Sequence, residues 1–351
     1  MKEIKISDID GFEIGNAEYA DEHTGCTVIM CKSGAVTAVD IRGGGPASRE
    51  TASLNPLAAN EAVHAVLLTG GSAFGLSAAD GVMQYLEERN IGFKTPYGVV
   101  PIVCASAIFD IKMNKDKVRP DQALGLRACE NIGNFSHGSV GAGAGATCGK
   151  FLGNEFAMKS GIGSFALQIG ELKVGAIAVV NSYGAVFHYE TGKEIAGPID
   201  KDGNLIDARK AFFEKMNKDF SKEGASPYFT QEKTTSPLDN FASENGTVCP
   251  DYAKNLHQNT TIGVVLTNAE FNKTEMTKIA SLAQDGMARS VFPVHTMFDG
   301  DSIYAMSHGK VKADLSMVGS LASHVFSKAI EDAVLSCESC LGYKGAKDIM
   351  R

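Results

Sequence analysis

The sequence predicts an α+β layered sandwich, in which strands and helices come in groups. β-rich runs and helical patterns fill the chain up to about residue 195, and a second group of strands and helices begins after residue 259. Between the groups, residues 197–258 are polar and charged, with a tail rich in Ser, Thr, Pro and Asn. Such a segment is typical of a surface excursion or a flexible linker. The grouping favours a layered α+β fold over a regular βαβ array.

Apolar runs and helical periodicity locate the elements of the first group. Residues 27–31 and 36–41 are predicted to be two strands joined by a glycine-containing turn. Residues 63–69 form a buried strand that continues through a Gly-Gly turn into a helix at 74–89. The other predicted elements of this group are an apolar run at 101–109, a helix at 121–131, and a meander of antiparallel strands at 163–169, 174–181 and 184–188. In the polar segment between the two groups, a helix is predicted at 208–218.

The second group repeats the theme of strand followed by helix. Asn272, with Glu275 three residues later, is a capping-box signal that predicts the start of a helix. A long amphipathic pattern ends the group. The predicted elements are a strand at 261–267, a helix at 273–287, a strand at 302–307 and a helix at 315–335.

Composition excludes several classes of protein. The chain has 351 residues, 44% of them hydrophobic, and a formal net charge of -8. Because no basic stripe interleaves with aromatic residues, nucleic-acid binding is not expected. The N-terminus lacks the apolar core of a signal peptide, and no run approaches the roughly 20 apolar residues of a membrane span. We therefore expect no nucleic-acid or membrane partner.

The eight cysteines are scattered along the chain, and Cys337 and Cys340 form the one close pair. With no second pair and no histidine cluster beside it, this pair does not predict a zinc site. Reduced thiols and a cytoplasmic location are the expectation. No cofactor is predicted.

A glycine cluster at residues 139–150 is the first candidate site. A phosphate-binding Walker loop needs G-x-x-x-x-G-K followed by Ser or Thr. Here Gly149-Lys150 is followed by Phe151, and Ala144 stands where the first glycine is required. Gly141-x-Gly143-x-x-Ala146 mimics a dinucleotide fingerprint, but its surroundings predict antiparallel strands. Nucleotide binding is therefore disfavoured.

The second candidate is Ser72, in the strand-turn-helix context of a serine-hydrolase elbow. Phe74 occupies the position where G-x-S-x-G requires its second glycine, so the spacing is wrong. The structural alternative is a glycine turn in which Ser72 caps the following helix.

The third candidate combines Thr260 with the segment from His295 to Asp301. Asn259-Thr260 opens an apolar, β-branched run directly after the polar segment. On its own this step predicts a turn entering a strand. A threonine hydroxyl becomes a strong nucleophile when its own α-amine is free, as it would be after cleavage between Asn259 and Thr260. Asp299 and Asp301 could orient that amine and hydroxyl, or could bind a hard metal ion together with His295.

Six ordered motifs lie at residues 42–46, 68–76, 120–125, 140–143, 259–262 and 295–301. Together they resemble the L-aminopeptidase/D-esterase family, which includes the β-aminopeptidases. The resemblance extends over about residues 8 to 335 and is greatest to its nylon-oligomer (6-aminohexanoate-oligomer) hydrolase branch. It implies an N-terminal-nucleophile-like hydrolase with a four-layer αββα sandwich.

The resemblance also implies roles for individual residues. It implies one hydrolase domain, 1–351, that cleaves itself between Asn259 and Thr260 into a large subunit, 1–259, and a small subunit, 260–351. Thr260 matches the nucleophile, Lys150 the lysine of the site, and Asn181 the oxyanion-hole asparagine. Asp299 and Asp301 match the acidic pair of the nylon-hydrolase branch, where aminopeptidase members have Ser and an acid.

This chemistry is self-consistent, because an α-amine with a pKa of about 7.7–8 suits a general base. The leading hypothesis is an autoprocessed threonine amide hydrolase acting on short peptides or ω-amino-acid amide oligomers. The alternatives are an L-aminopeptidase or D-amidase/esterase, and a non-catalytic homologue that stays uncleaved. The resemblance further implies a homo-tetramer of cleaved protomers.

Overall fold

The computed structural model describes residues 1–113, 116–220 and 259–349. The Ser/Thr/Pro/Asn-rich tail predicted at the end of the polar segment lies outside the described residues. The helices are α1 (Ala78–Glu87), α2 (Gln122–Glu130), α3 (Ala208–Phe220), α4 (Lys273–Ser290), α5 (Leu315–Leu335) and α6 (Ala346–Ile349). The strands are β1 (Lys2–Ile4), β2 (Glu13–Tyr19), β3 (Thr24–Ile41), β4 (Ser48–Arg49), β5 (Val63–Thr69), β6 (Phe93–Thr95), β7 (Gly98–Val100), β8 (Val103–Ala107), β9 (Thr147–Cys148), β10 (Met158–Lys159), β11 (Ile162–Ile169), β12 (Leu172–Asn181), β13 (Ala185–Phe187), β14 (Glu194–Ala196), β15 (Thr260–Ala269), β16 (Val291–Phe292) and β17 (Ser302–Val311).

Two sheets share the long strand β3. Its first half pairs with β2 and β5, and β8 and β4 complete that sheet. Its second half pairs with β17, and the second sheet continues through β15, β12, β11 and β1. We call them the β5 sheet and the β15 sheet. The strands of the β15 sheet are antiparallel except for the parallel pair of β15 and β17.

The prediction of two separate strands within residues 27–41 is wrong. One strand runs through, and its pairing with β5 shifts register between Met30 and Ala35. Gly34, with φ of +82°, accommodates the irregularity without the steric cost that a Cβ would bring. The glycine therefore bends the strand from one sheet into the other instead of ending it.

Two sheets are stacked face to face with helices on both outer sides, and an apolar core fills each of the three interfaces between these four layers. On β5, Val66 and Leu68 face the β15 sheet, whereas Leu67 faces α1 and α2. On β15, Val264 faces the β5 sheet, and Val265 packs against α4 and α5. Because successive strand residues point to opposite faces, each sheet is covered on both sides. The architecture is the predicted α+β αββα sandwich.

Most predicted elements are present, and capping explains why some boundaries hold. The strand at 63–69 and the helix at 315–335 have the predicted bounds. Asn272 and Glu275 form the predicted capping box of α4, with Asn272 Oδ1 accepting from Glu275 N at 3.0 Å. Asp121 caps α2 by accepting from Leu124 N at 2.9 Å.

Two local predictions fail. Ser72 does not cap the helix that follows: it has φ of +53° and begins a 3-10 turn, and α1 starts only at Ala78. The strand predicted at 184–188 does not continue the meander, because β15 occupies the free edge of β12. β13 instead pairs with β14 and β16 in a small separate sheet. Within the described residues, no helix is long and apolar enough to cross a membrane.

Candidate active site

Thr260 lies at the centre of the β15 sheet, where three strand ends meet. It is the first residue of β15 and pairs with Asn181, the last residue of β12. On its other side, Asn259 forms a parallel bridge to Asp299, in the loop that leads into β17. The side chain is buried, with 4% of the residue exposed. The fold thus brings together the residues that the sequence assigned to one site.

The hydroxyl of Thr260 is in contact with the peptide bond that precedes it. Thr260 Oγ1 donates to the carbonyl oxygen of Asn259. The same oxygen accepts a hydrogen bond from Gly300 N at 3.0 Å. A Cβ at Gly300 would lie 2.9 Å from Thr260 Oγ1 and 2.8 Å from the Gly45 carbonyl oxygen. A glycine is therefore needed at position 300 to leave space for the hydroxyl.

Lys150 reaches this centre through Asn181. Lys150 Nζ donates to Asn181 Oδ1 at 2.7 Å and to the Asn181 backbone oxygen at 3.0 Å. Thr147 N donates to the same Oδ1 at 3.2 Å. Since a backbone N–H can only donate, it fixes the side-chain amide so that Nδ2 points away from Lys150. Nδ2 donates to the Phe109 carbonyl at 3.1 Å.

Burial changes the proton affinity of Lys150. Desolvation lowers the pKa of Lys150 well below its usual value, and the nearby charge of Lys112 lowers it further, whereas Asp299 opposes the shift. Burial also lowers the pKa of Lys112 to about 8. Both shifts favour the neutral amine, which is the form of a lysine that can accept a proton.

The two predicted carboxylates fix backbone groups around Thr260. Asp301 Oδ1 accepts from Thr261 N at 2.7 Å, and its Oδ2 lies 2.9 Å from His295 Nδ1. Asp299 Oδ2 accepts from Thr296 N at 3.0 Å. Burial, followed by the proximity of Asp301, raises the pKa of Asp299 to about 7. The carboxylate oxygens accept from these donors, and within the described residues no group of three or more His, Cys, Asp or Glu side chains is arranged to hold a metal ion, so the arrangement favours positioning over the metal alternative.

The loop at residues 42–45 supports the acidic segment from the other side. Gly43 N donates to the Asp301 carbonyl at 3.2 Å, and Gly45 N donates to the Asp299 carbonyl at 2.8 Å. A Cβ at Gly43 would lie 2.2 Å from Asp301 N. The sequence marked this loop only through a resemblance. Its contacts show that it holds the backbone on which Asp299 and Asp301 stand.

Sequence reasoning assigned no role to Gly300, Thr147 or Lys112. Gly300 carried a signal, because it stands between two acids beside the candidate nucleophile. Thr147 and Lys112 carried no signal. Thr147 acts through its backbone N–H and Lys112 through its charge near Lys150, and only the fold determines where these two groups lie.

Neither of the two rival motifs, the Ser72 elbow and the glycine cluster at 139–150, forms the serine-hydrolase or phosphate-binding site that its pattern resembles. In the described part of the chain, the serine hydroxyls that contact histidines are those of Ser33 and Ser164, not that of Ser72. Gly149 has φ of +73° and leads into a turn, not into the helix that a Walker loop requires. Lys150, which would bind phosphate in such a loop, instead contacts Asn181.

Comparison with solved structures places the fold among the Ntn hydrolases. The l-aminopeptidase d-Ala-esterase/amidase of Ochrobactrum anthropi, described as a variant of the Ntn hydrolase fold, matches with a TM-score of 0.65 and 14% identity, covering 97% of this chain and 90% of that chain. A β-aminopeptidase of Burkholderia sp. matches with a TM-score of 0.62 and 16% identity over 99% and 93% of the two chains. These likenesses establish the fold.

Sequence comparison establishes the family. The profile of peptidase family S58 matches residues 5–348, and the chain belongs to that family. An uncharacterized aminopeptidase of Mycobacterium leprae is 35% identical over 96% of this chain and 91% of the relative. A 6-aminohexanoate-oligomer endohydrolase of Kocuria sp. is 28% identical over 93% and 84%. The resemblance inferred from the motifs is confirmed, and the protein is a hydrolase of peptide or amide bonds.

Proposed function

We propose that this protein is an autoprocessed threonine-nucleophile hydrolase that cleaves short peptides or ω-amino-acid amide oligomers. The observation that carries the proposal is the contact between Thr260 Oγ1 and the Asn259 carbonyl, whose oxygen also accepts from Gly300 N. This contact supports the proposal because it puts the hydroxyl beside the peptide bond that self-cleavage would break. The neighbouring N–H is placed to stabilise the negative charge that would develop on the carbonyl oxygen.

Self-cleavage would begin with attack of Thr260 Oγ on the carbonyl carbon of Asn259. The hydroxyl proton passes to the neutral amine of Lys150, and Gly300 N–H stabilises the oxyanion. When the C–N bond breaks, the Thr260 nitrogen takes up a proton and an ester joins Asn259 to Thr260. Water then hydrolyses this ester, which yields the Asn259 carboxylate and a free Thr260 amine. The products are a large subunit, 1–259, and a small subunit, 260–351.

Turnover would reuse the same hydroxyl, with the new amine as general base. Thr260 Oγ attacks the substrate amide, the amine takes the proton, and the leaving amine of the substrate receives it. Asn181 Nδ2, which carries a second hydrogen besides the one donated to the Phe109 carbonyl, donates to the oxyanion, while Asp299 and Asp301 hold the backbone around the nucleophile. Water hydrolyses the acyl-enzyme and restores the hydroxyl. The step requires no histidine.

Relatives support two substrate classes for the same chemistry. The first is an amide oligomer of ω-amino acids, supported by the relative named 6-aminohexanoate-oligomer endohydrolase and by the acidic pair Asp299 and Asp301. The second is the free N-terminus of a peptide, supported by the relative named as an aminopeptidase. An amino-capped 6-aminohexanoate trimer separates them, because endo-type hydrolysis accepts it and aminopeptidase action does not.

We also propose a cytoplasmic homo-tetramer of cleaved protomers. The seven cysteines within the described residues are free thiols, which supports a reducing compartment. Light scattering of the purified protein measures the assembly, and a mass of one protomer would contradict it.

Substitution of Thr260 tests the catalytic proposal. In Thr260→Ala we expect no self-cleavage and a loss of amide turnover of at least about 10⁴-fold, because one hydroxyl serves both acyl transfers. Thr260→Ser keeps a hydroxyl at the same place and serves as the matched control. Cleavage between residues 259 and 260 in the alanine variant would show that another group is the nucleophile.

A further inference from the structure

A second hydroxyl, imidazole and carboxylate array lies at the edge of the β15 sheet, remote in sequence from Thr260. Ser164 Oγ is 2.9 Å from His137 Nε2, and His137 Nδ1 is 2.8 Å from Asp332 Oδ2. The three residues come from β11, from the loop after α2 and from α5. Nucleophile, base and orienting acid are thus in the order and at the distances that define an activated serine.

The carboxylate fixes which imidazole nitrogen bears the proton. Asp332 Oδ2 also accepts from Ser164 N at 2.9 Å, and Oδ1 accepts from Ser336 Oγ at 3.0 Å. A carboxylate surrounded by donors is an acceptor, so His137 Nδ1 carries the hydrogen and Nε2 is left to accept from Ser164 Oγ. This is the tautomer that a general base needs.

The fold leaves Ser164 accessible because its strand is only partly covered at the sheet edge. β1 pairs with β11 from Lys2 opposite Gln168 to Ile4 opposite Ala166, and then turns away. The next edge contact of β11 is the bridge between Gly138 and Ile162. Ser164 lies between these two contacts, so its N–H is bonded by Asp332 and its hydroxyl faces the cavity beside it.

That cavity has a volume of about 560 Å³ and is lined by Ser164 and His137, by apolar side chains, among them Ile4, Phe12, Phe135 and Phe165, and by the charged residues Glu3, Lys5 and Glu13. Its size and its mix of apolar walls with a few polar groups are typical of a small-molecule site. The ring of Phe135 packs edge-on against His137, with centroids 5.2 Å apart. The packing holds the imidazole beside the serine.

We propose that Ser164, His137 and Asp332 form a second nucleophilic site that hydrolyses small esters with an apolar acyl group, independently of Thr260. Ser164 Oγ attacks the ester carbonyl and its proton passes to His137 Nε2. The C–O bond breaks and the leaving alcohol takes that proton, which leaves an acyl-serine. Water, deprotonated by His137, attacks this ester; the acid is released and the serine regains its hydrogen.

The backbone N–H of Ser164 limits the rate of ester hydrolysis that we expect at this site. Ser164 N is bonded to Asp332 and so does not face a substrate oxyanion. Lack of one oxyanion donor typically lowers the rate by about 10²–10³-fold. The site should therefore turn over activated esters slowly, but it should react readily with probes that trap a nucleophilic serine.

A fluorophosphonate probe with peptide mapping tests the proposal on the full chain. We expect covalent labelling of Ser164 in the wild type and in Thr260→Ala, which removes the first nucleophile. His137→Gln should slow the labelling by about 10²-fold or more, the usual contribution of a general base. Ser136→Ala, at the exposed neighbour of His137, is the matched control and should label normally.

A turnover assay adds a second readout. In the Thr260→Ala background, slow hydrolysis of p-nitrophenyl acetate should persist and should be lost in the Thr260→Ala/Ser164→Ala double variant. Amide hydrolysis by Ser164→Ala with Thr260 intact reports on folding of that variant. Absence of label on Ser164, or an unchanged labelling rate in His137→Gln, would overturn the proposal and leave Asp332 and His137 as supports of the sheet edge.

Discussion

Thr260 and Ser164 lie in the same sheet, but the hydroxyl of Thr260 is buried at its centre and the hydroxyl of Ser164 lies at its edge. Thr260 is buried at the centre, its hydroxyl directed at its own backbone, with backbone N–H groups satisfied by Asp299 and Asp301. Ser164 lies at the edge, beside a cavity, with a histidine already in contact. The central site must break a peptide bond to acquire its proposed base, whereas the edge site has its base in place.

The difference shows how position in a sheet selects the means of activation. At the centre, three strand ends supply backbone donors and acceptors, and burial lowers the pKa of the nearby lysine, Lys150. At the edge, the backbone N–H of Ser164 has no neighbouring strand to bond within the described residues. Asp332 accepts from this N–H, and the same carboxylate also orients the imidazole of His137. Variants that change one hydroxyl and spare the other are therefore the sharpest tests.

Among the variants that separate the two sites, removal of the Lys150 amine should have the largest effect on self-cleavage at Thr260. We expect Lys150→Met to slow self-cleavage by about 10²–10⁴-fold, because a general base contributes that much and Asn181 Oδ1 loses one of its donors. Denaturing electrophoresis over time measures the rate. Labelling of Ser164 should not change; a parallel loss at both hydroxyls would show that the variant disturbs the whole sheet.

A methyl group at Gly300 should affect only the central site. Gly300→Ala places a Cβ 2.9 Å from Thr260 Oγ1, so the hydroxyl or the loop must shift. We expect self-cleavage to slow by about 10²–10³-fold, the usual effect of losing one oxyanion donor. Gly133→Ala is a control for the glycine substitution itself, since a Cβ there meets no atom within 4 Å, although its φ of +94° adds local strain. Processing of Gly300→Ala at the wild-type rate would remove Gly300 from the mechanism.

The rate of self-cleavage at the central site should depend on pH through the titration of Asp299. Its pKa is raised to about 7, so it binds a proton as pH falls through 7 and can then no longer accept from all its donors. Self-cleavage should therefore accelerate as pH rises from 6 to 8, and Asp299→Asn should lack this dependence. A pH profile that is the same in both proteins would contradict the assignment.

The same shift has a consequence for stability. A carboxyl whose pKa is higher in the folded than in the unfolded state stabilises the fold while it is protonated, and this contribution disappears as pH rises from about 4 through 7. Asp299→Asn should remove that dependence, so the variant should gain thermal stability relative to the wild type at pH 8. Thermal melts at pH 5 and 8 measure it.

The smallest effect is expected from the cap of α4, which serves neither hydroxyl. Asn272→Ala removes the hydrogen bond to Glu275 N and should lower the free energy of unfolding by about 1 kcal/mol. Urea unfolding measures the change. Self-cleavage and Ser164 labelling at 25 °C should stay at wild-type rates; a marked loss of either would show that marginal stability limits that site.

The sequence predicted the layers because they follow from local patterns. The continuous apolar run of β5 indicates a strand covered on both faces, and the periodicity of α5 indicates one buried helix face, in both cases without knowledge of the packing partners. The bend in β3 was missed, because Gly34 is equally compatible with a turn and with a bulge. Thr260, Lys150, Asn181, Asp299 and Asp301 were found through motifs, and the fold brings them together, while their roles remain predictions.

The Ser164 array could not be predicted from sequence. His137 and Asp332 are 195 positions apart, and neither stands in a motif. Their meeting depends on how α5 lies against the edge of β11 and on where β1 ends. Gly300 N–H and Thr147 N–H are backbone groups whose direction likewise depends on tertiary structure.

The intact mass of the purified wild-type protein under denaturing conditions tests the central claim most directly. If the bond before Thr260 is the first substrate of the protein, the 37.1 kDa chain should give fragments of about 27 and 10 kDa, in proportion to the residues on each side. N-terminal sequencing of the small fragment should begin at Thr260. A single species of 37.1 kDa that is active on amides would contradict the account.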